Sequence, residues 1–346
     1  MRKIRTRVFA CGLALVLAMG MITGCKKNSE LENNGQPKVF TYDGTDVYMN
    51  ELWLYATMQQ IMYEQQYATQ YSPEELWSQQ VDETTDEEGN AVVLTLEDMV
   101  KEEIIESVKM TKLMCNKAEE MGITLSEQDT VDFDEYVDDS MKNLKDVDLE
   151  GHGVTRKIVE EVYKQQILAQ KVYEEVSKGE INLTYNLLFE TFEALDTGER
   201  KEFSAAKKAK QKAKAEKALE KLQNGADVEE LAEQMKADKS SYVAISAATK
   251  ANYAVEYVAA AEELERKGET GAVSPITESD FGYHILVYVT EDDEKYQAAE
   301  AQNAIISEQQ NLFSLRYEEW KKEADKGWDS EKAINKEEWD KVTFVK

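Results

Sequence analysis

The sequence predicts an α+β protein, mostly helical, in which a compact mixed segment lies between two helical stretches. Three observations predict it. Gly and Pro are scarce, 16 and 3 of 346 residues, against average usage of about 7% and 5%. Turn-rich sandwiches, propellers and collagen-like rods are thereby excluded. Apolar residues make up 42% and charged residues 32%, which supports real cores and argues against wholesale disorder. From Ile181 to Val289 the helical texture gives way to strand-like pieces around helices. A chain of this length suggests about two domains.

The elements follow in order. Val39–Tyr42 and Val47–Tyr48 flank Asp43-Gly44, a hairpin turn signal. Asn50 is placed as the cap of a helix from Glu51 that carries Leu52, Trp53, Tyr55, Met58, Ile61 and Met62 at helical spacing. Residues 82–90 read as an acidic loop. Thr95 and Asp98 form a capping box for a helix with Val100, Ile104, Val108 and Cys115 on one face, ended by Gly122. Ser126 opens a helix through Phe133, Val137 and Met141. Beyond Gly151-His152-Gly153, Ile158, Val162, Leu168, Val172 and Val176 mark another, closed by Gly179.

The mixed segment begins with a strand over Ile181–Phe192. Helices follow over Ser204–Leu222 and up to Met235. Residues 242–247 read as a strand or a loop, Tyr253–Leu264 as a helix and Phe281–Val289 as a strand. This β-α-α-(β)-α-β order in about 110 residues describes an α+β domain. A long helix over Tyr296–Lys326 comes next, then a tail with Trp328, Trp339 and a strand-like Val342–Val345.

The start of the chain is an address. Arg2, Lys3, Arg5 and Arg7 precede an uncharged, mostly apolar run from Val8 to Thr23, the layout of a secretory signal. The run ends in Ile22-Thr23-Gly24-Cys25, which resembles the lipobox of bacterial lipoproteins. The resemblance implies a signal peptide over 1–24, a lipid on Cys25 and attachment to the outer face of the cell membrane. Polar residues 25–38 then serve as the tether. Cys11 lies in the signal and Cys115 is left alone, so no intrachain disulfide is available. Cys115 reads as a small buried hydrophobe.

The formal charge is −28, which disfavours nucleic acid as a partner, because phosphates need Lys and Arg to displace counterions. Two His and no Cys-x-x-Cys leave a His/Cys zinc site short of ligands, and no cofactor is expected. Arg200–Lys221 holds nine basic residues against three acidic ones. A solvated helix face with Ala toward the core explains that run more simply than an anionic partner.

Residues 268–288, GETGAVSPITESDFGYHILVY, resemble the C-terminal hairpin of the parvulin family of peptidyl-prolyl cis-trans isomerases, with Phe281-Gly282-Tyr283-His284-Ile285 as the core. ALEKLQNGADVEELAEQ (218–234) is similar to that family's first two helices, and LTYNLL (183–188) falls on its first strand. With the lipobox and the flanking helices, the layout resembles PrsA-type foldase lipoproteins and SurA-like chaperones. The resemblance implies a helical chaperone-like domain of residues 39–180 plus 292–346, with a parvulin-like domain of residues 181–291 inserted.

Family residues carry over in part. His284 falls on the second family His, Asn186 takes the place of the first, and Asp238 lies near the Asp/Cys position. Tyr253 and Tyr257 fall where the prolyl pocket has Met and Phe, while Phe281 and Ser279 sit in the final strand motif. The implied function is isomerisation of X-Pro bonds in unfolded or exported proteins. The broken His pair keeps a second reading open, a non-catalytic holdase with a degenerate isomerase domain. Met58, Met62, Tyr63, Tyr67 and Tyr71 suit a deformable client surface, although ordinary core is the simpler account. A solute-binding lipoprotein would show repeated βαβ units, and none is visible.

Overall fold

The computed structural model describes residues 33–85, 91–126, 129, 133–144, 148–195 and 199–344. The signal over 1–24, Cys25, the tether up to residue 32, residues 86–90 of the acidic stretch and Val345 lie outside the described residues. The chain divides into two compact units, Val176–Glu318 and the described residues on either side of it.

The first unit opens with β1 (Lys38–Tyr42) and β2 (Thr45–Tyr48) in antiparallel register. Asp43 and Gly44 both take positive φ, 47° and 78°, the backbone of a two-residue type I′ turn. Helix α1 (Met49–Tyr67) follows directly, two residues earlier than expected. Tyr48 occupies the cap position. Asn50, the expected cap, is buried in the first turn, where its Oδ1 accepts the Glu51 N–H at 2.9 Å. A short α2 (Pro73–Trp77) starts at a Ser72–Glu75 capping box.

The predicted acidic loop over 82–90 is corrected at its start, where residues 82–85 are strand. β3 (Gln80–Thr85) and β4 (Ala91–Thr95) pair antiparallel, since β-branched Thr84, Thr85, Val92 and Val93 carry a strand propensity that outweighs acidity. Helix α3 (Leu96–Met121) has the expected Thr95–Asp98 capping box and ends at Gly122 with φ 68°. α4 (Phe133–Asn143) begins at Phe133 rather than at Ser126, which lies outside any helix. α5 (Arg156–Val176) carries the predicted stripe. Leu52, Val100, Ile104, Val108, Ile158 and Val162 are fully buried. Cys115 is buried too, and burial pushes its thiol up to about 12.

The C-terminal residues complete this unit. The Trp328 ring meets Phe40 and Tyr42 edge-on at 5.6 and 5.3 Å. The Asn335 N–H donates to the Val39 carbonyl at 2.7 Å. Two single-turn helices, Ser330–Ala333 and Lys336–Trp339, precede Val342 and Phe344. Those two residues are buried without forming the expected strand: Phe344 packs on Trp77 at 4.4 Å as an apolar plug.

The second unit contains β5 (Asn182–Glu190), β6 (Phe192–Ala194), β7 (Arg200–Glu202), α6 (Ala205–Gln223), α7 (Val228–Met235), β8 (Lys239–Ile245), α8 (Val255–Lys267), β9 (Thr277–Ser279), β10 (Gly282–Tyr288) and α9 (Ala299–Ala324) up to Glu318. Four strands form an antiparallel sheet in the order β8-β5-β10-β9. Strand alternation gives the sheet two faces. Leu183, Tyr185, Leu187, Phe189, Ile285 and Val287 pack against α6 and α7. The other face presents Ile245 and Leu286 to Tyr257, Ala261 and Leu264 of α8. Ala301 and Ile305 of α9 join the first of these cores, so residues 292–318 group with the sheet rather than with the helical unit as expected. On α6 the buried positions are Gln211, Ala215, Ala218 and Leu222, and the lysines between them face solvent or its margin, as a solvated face requires.

Candidate active site

Register brings His284 and Asn186 together. His284 pairs with Leu188 and Leu286 with Asn186. The His284 and Asn186 side chains therefore share one face as diagonal neighbours, close enough for long side chains to meet. His284 Nδ1 lies 3.2 Å from Asn186 Oδ1, and Nε2 lies 2.8 Å from Ser279 Oγ. The Phe281 N–H donates to that same Ser279 Oγ at 3.1 Å. These contacts run in one direction: Phe281 N–H to Ser279, Ser279 O–H to His284 Nε2, His284 Nδ1–H to the Asn186 carbonyl oxygen. With Asn186 Oδ1 facing Nδ1, the neutral imidazole carries its proton on Nδ1.

Burial enforces that neutrality. His284 is 5% exposed, and desolvation lowers its pKa to about 4, against a smaller opposing pull from the Glu256 carboxylate. The ring of Tyr257 stands edge-on to His284 at 5.4 Å. The Tyr257 hydroxyl shares a 2.8 Å hydrogen bond with Thr184, which is fully buried. Tyr253 stacks on Tyr257 at 5.8 Å and is 37% exposed. An aromatic ladder thus leads from the surface down to the imidazole.

Phe281 is equally exposed, in the turn that precedes β10. It meets Phe192 at 6.4 Å, and the Arg200 guanidinium lies over both rings, at 4.4 Å from Phe281 and 4.7 Å from Phe192. Gly282 makes this turn fit. Its φ is 138°, and a Cβ there would lie 2.2 Å from the Phe189 carbonyl oxygen, so any side chain would collide with the partner strand.

One expected residue stands elsewhere, and a second is in place with a different role. Asp238 does not reach His284. Lys239 pairs with Leu188 on the His284 face, so alternation turns Asp238 toward α6. There its carboxylate accepts from the Glu190 N–H at 3.0 Å and from the Gln211 side chain. Tyr257 was expected as a pocket wall but is 3% exposed with its hydroxyl engaged; it buttresses His284 from within. Thr184, Phe192 and Arg200 are not among the residues predicted for the site. Thr184 could have been found, since it stands two residues before Asn186 on the same strand face. The three-residue strands β6 and β7 gave no such signal.

Residues 192–291 match the PPIC-type PPIASE domain of the rotamase family. The match starts at Phe192, so β5 with Asn186 lies upstream of it. Foldase protein PrsA of Clostridium tetani is 21% identical over 244 residues, 64% of this chain and 70% of that one. Similar solved structures include PrsA from Bacillus subtilis and the peptidylprolyl isomerase PrsA from Bacillus cereus. The first is 13% identical with a TM-score of 0.23, covering 77% of this chain and 100% of that one. The second is 16% identical with a TM-score of 0.25, covering 78% and 100%. Superpositions this loose carry no argument about the whole chain. By its domain match and its relative, the chain is PrsA-like and carries a parvulin-type (PPIC) peptidyl-prolyl isomerase domain.

Proposed function

We propose that the protein is a lipid-anchored foldase at the outer face of the cell membrane that speeds X-Pro isomerisation in exported polypeptides. The observation that carries this is the directed chain Phe281–Ser279–His284–Asn186, set beside two exposed aromatic rings inside a domain of isomerase type. Anchoring rests on the lipobox-like sequence ending at Cys25.

The reaction makes no bond. Its obstacle is amide resonance, a barrier of about 18–20 kcal/mol, and a catalyst must favour the twisted amide over the planar one. In this proposal Tyr253 and Phe281 hold the prolyl ring. His284, Asn186 and Ser279 act as a hydrogen-bonded brace that fixes the turn bearing Phe281, and Tyr257 supports the imidazole. An Asn serves such a brace, since it accepts from Nδ1–H without titrating. Asp238 is left out of the chemistry and anchors α6 to the sheet.

The holdase reading draws on one specific observation: Tyr257 stands edge-on against His284 at 5.4 Å, which narrows any hollow for a proline. A protease-coupled assay on an Ala-Pro peptide decides between them. Catalysis above background that falls on His284→Ala supports the foldase. Background rates from the wild type, with aggregation of a denatured client still suppressed, would leave the holdase. Anchoring is tested separately: Cys25→Ser should release the protein into the medium.

A further inference from the structure

A cavity of about 400 Å3 opens in the sheet unit near the start of β5, away from the His284 network. Its walls include Ile245, Val258, Ala261 and Leu312, an apolar sleeve. Glu180, Glu262 and Glu265 also line it, with Lys250 as the cation among them. Lys250 lies 3.8 Å from Glu262, while Glu180 and Glu265 have no ion-pair partner among the described residues. Asn182 supplies an independent sign of a missing ligand. It lines the cavity and is 6% exposed. Its amide nitrogen donates to the Ala261 carbonyl at 2.8 Å and to Glu265 at 3.2 Å. Its Oδ1 is buried without a hydrogen-bond partner among the described residues, an unfavourable state unless a donor arrives.

An apolar sleeve, two carboxylates and an orphaned acceptor specify a long aliphatic stem ending in a cationic N–H donor. Lysine and arginine side chains have that form. We infer that this cavity is a second polypeptide subsite, which holds a basic side chain of an extended client. The inference rests on the proposed foldase role for the nature of the occupant. Asn182 and Asn186 lie on one face of β5, four residues apart, hence about 13 Å. A client basic residue about four positions from the prolyl bond would therefore engage both sites.

The test uses the full chain and two labelled decapeptides that contain Ala-Pro. One carries Arg four positions from the proline and the other Gln. Fluorescence anisotropy at low salt should show the Arg peptide binding at least tenfold tighter. Glu180→Gln with Glu265→Gln should abolish that preference while binding of the Gln peptide stays unchanged. Equal affinities in the wild type, or a preference that survives the double substitution, would overturn the subsite. Isomerisation of a tetrapeptide too short to reach the cavity should be the same in wild type and double variant, and a matching loss there would also overturn it. Absence of tetrapeptide turnover in the wild type would instead count against the foldase role, while anisotropy still reads the subsite.

Discussion

His284 Nδ1 stands 3.2 Å from Asn186 Oδ1 across two paired antiparallel strands, although 98 residues separate them in the chain. The contact fixes which nitrogen of a buried imidazole carries the proton. Replacing Asn186 by Leu would leave that N–H buried and unpaired. We expect a stability loss of about 1–3 kcal/mol by urea unfolding, with a fall in isomerase rate. An unchanged stability would mean that water already serves the nitrogen.

The depressed pKa of His284 has a definite sign. Folded His284 takes a proton only near pH 4, while the unfolded chain does so near 6.5. Between those values the unfolded state binds more protons, so stability falls as pH falls from about 6.5 to 4. The His284 share is at most about 3 kcal/mol. Unfolding at pH 7, 5.5 and 4.5, compared between wild type and His284→Gln, should show a wild-type loss that the variant partly escapes. Parallel losses in both would contradict the assignment.

Gly282 is the tightest backbone approach beside the site. Gly282→Ala should force β10 away from β5 and cost about 2–3 kcal/mol, the scale of a strained conformation held in place. A melting curve checks this; a drop of less than about 2 °C would show that the strands give way easily.

The helical unit holds a buried ion pair. Lys112 Nζ lies 2.7 Å from Glu51 Oε1, both side chains being almost wholly inaccessible. Burial raises the Glu51 pKa while Lys112 opposes it. Lys112→Met should cost about 3–5 kcal/mol by stranding a buried carboxylate, whereas Glu51→Leu with Lys112→Met should recover much of that loss. Chemical denaturation of the three proteins separates pair from packing.

Much of this was legible in the sequence because local chemistry encodes it. Asp43-Gly44 specified the type I′ turn, Thr95 and Asp98 the start of α3, and the apolar, strand-prone run at 282–288 a buried strand. His284, Asn186 and Ser279 were legible through the likeness to parvulins, and they do converge. The failures are non-local. Asp238 sits one position off the face that would reach His284, a difference of register that a loop sequence does not carry. Tyr257 is buried because Thr184 takes its hydroxyl, a tertiary contact between segments 73 residues apart. Val342 and Phe344 have strand propensity, yet they plug an apolar surface, where packing overrides it.

The most direct test of the central claim, that the His284 face of the sheet performs isomerisation, is NMR exchange spectroscopy on an Ala-Pro peptide. Wild type should raise the cis-trans exchange rate well above background, and His284→Ala and Phe281→Ala should each lower that gain at least tenfold while the fold stays intact by circular dichroism. A wild-type gain that both variants retain in full would contradict it.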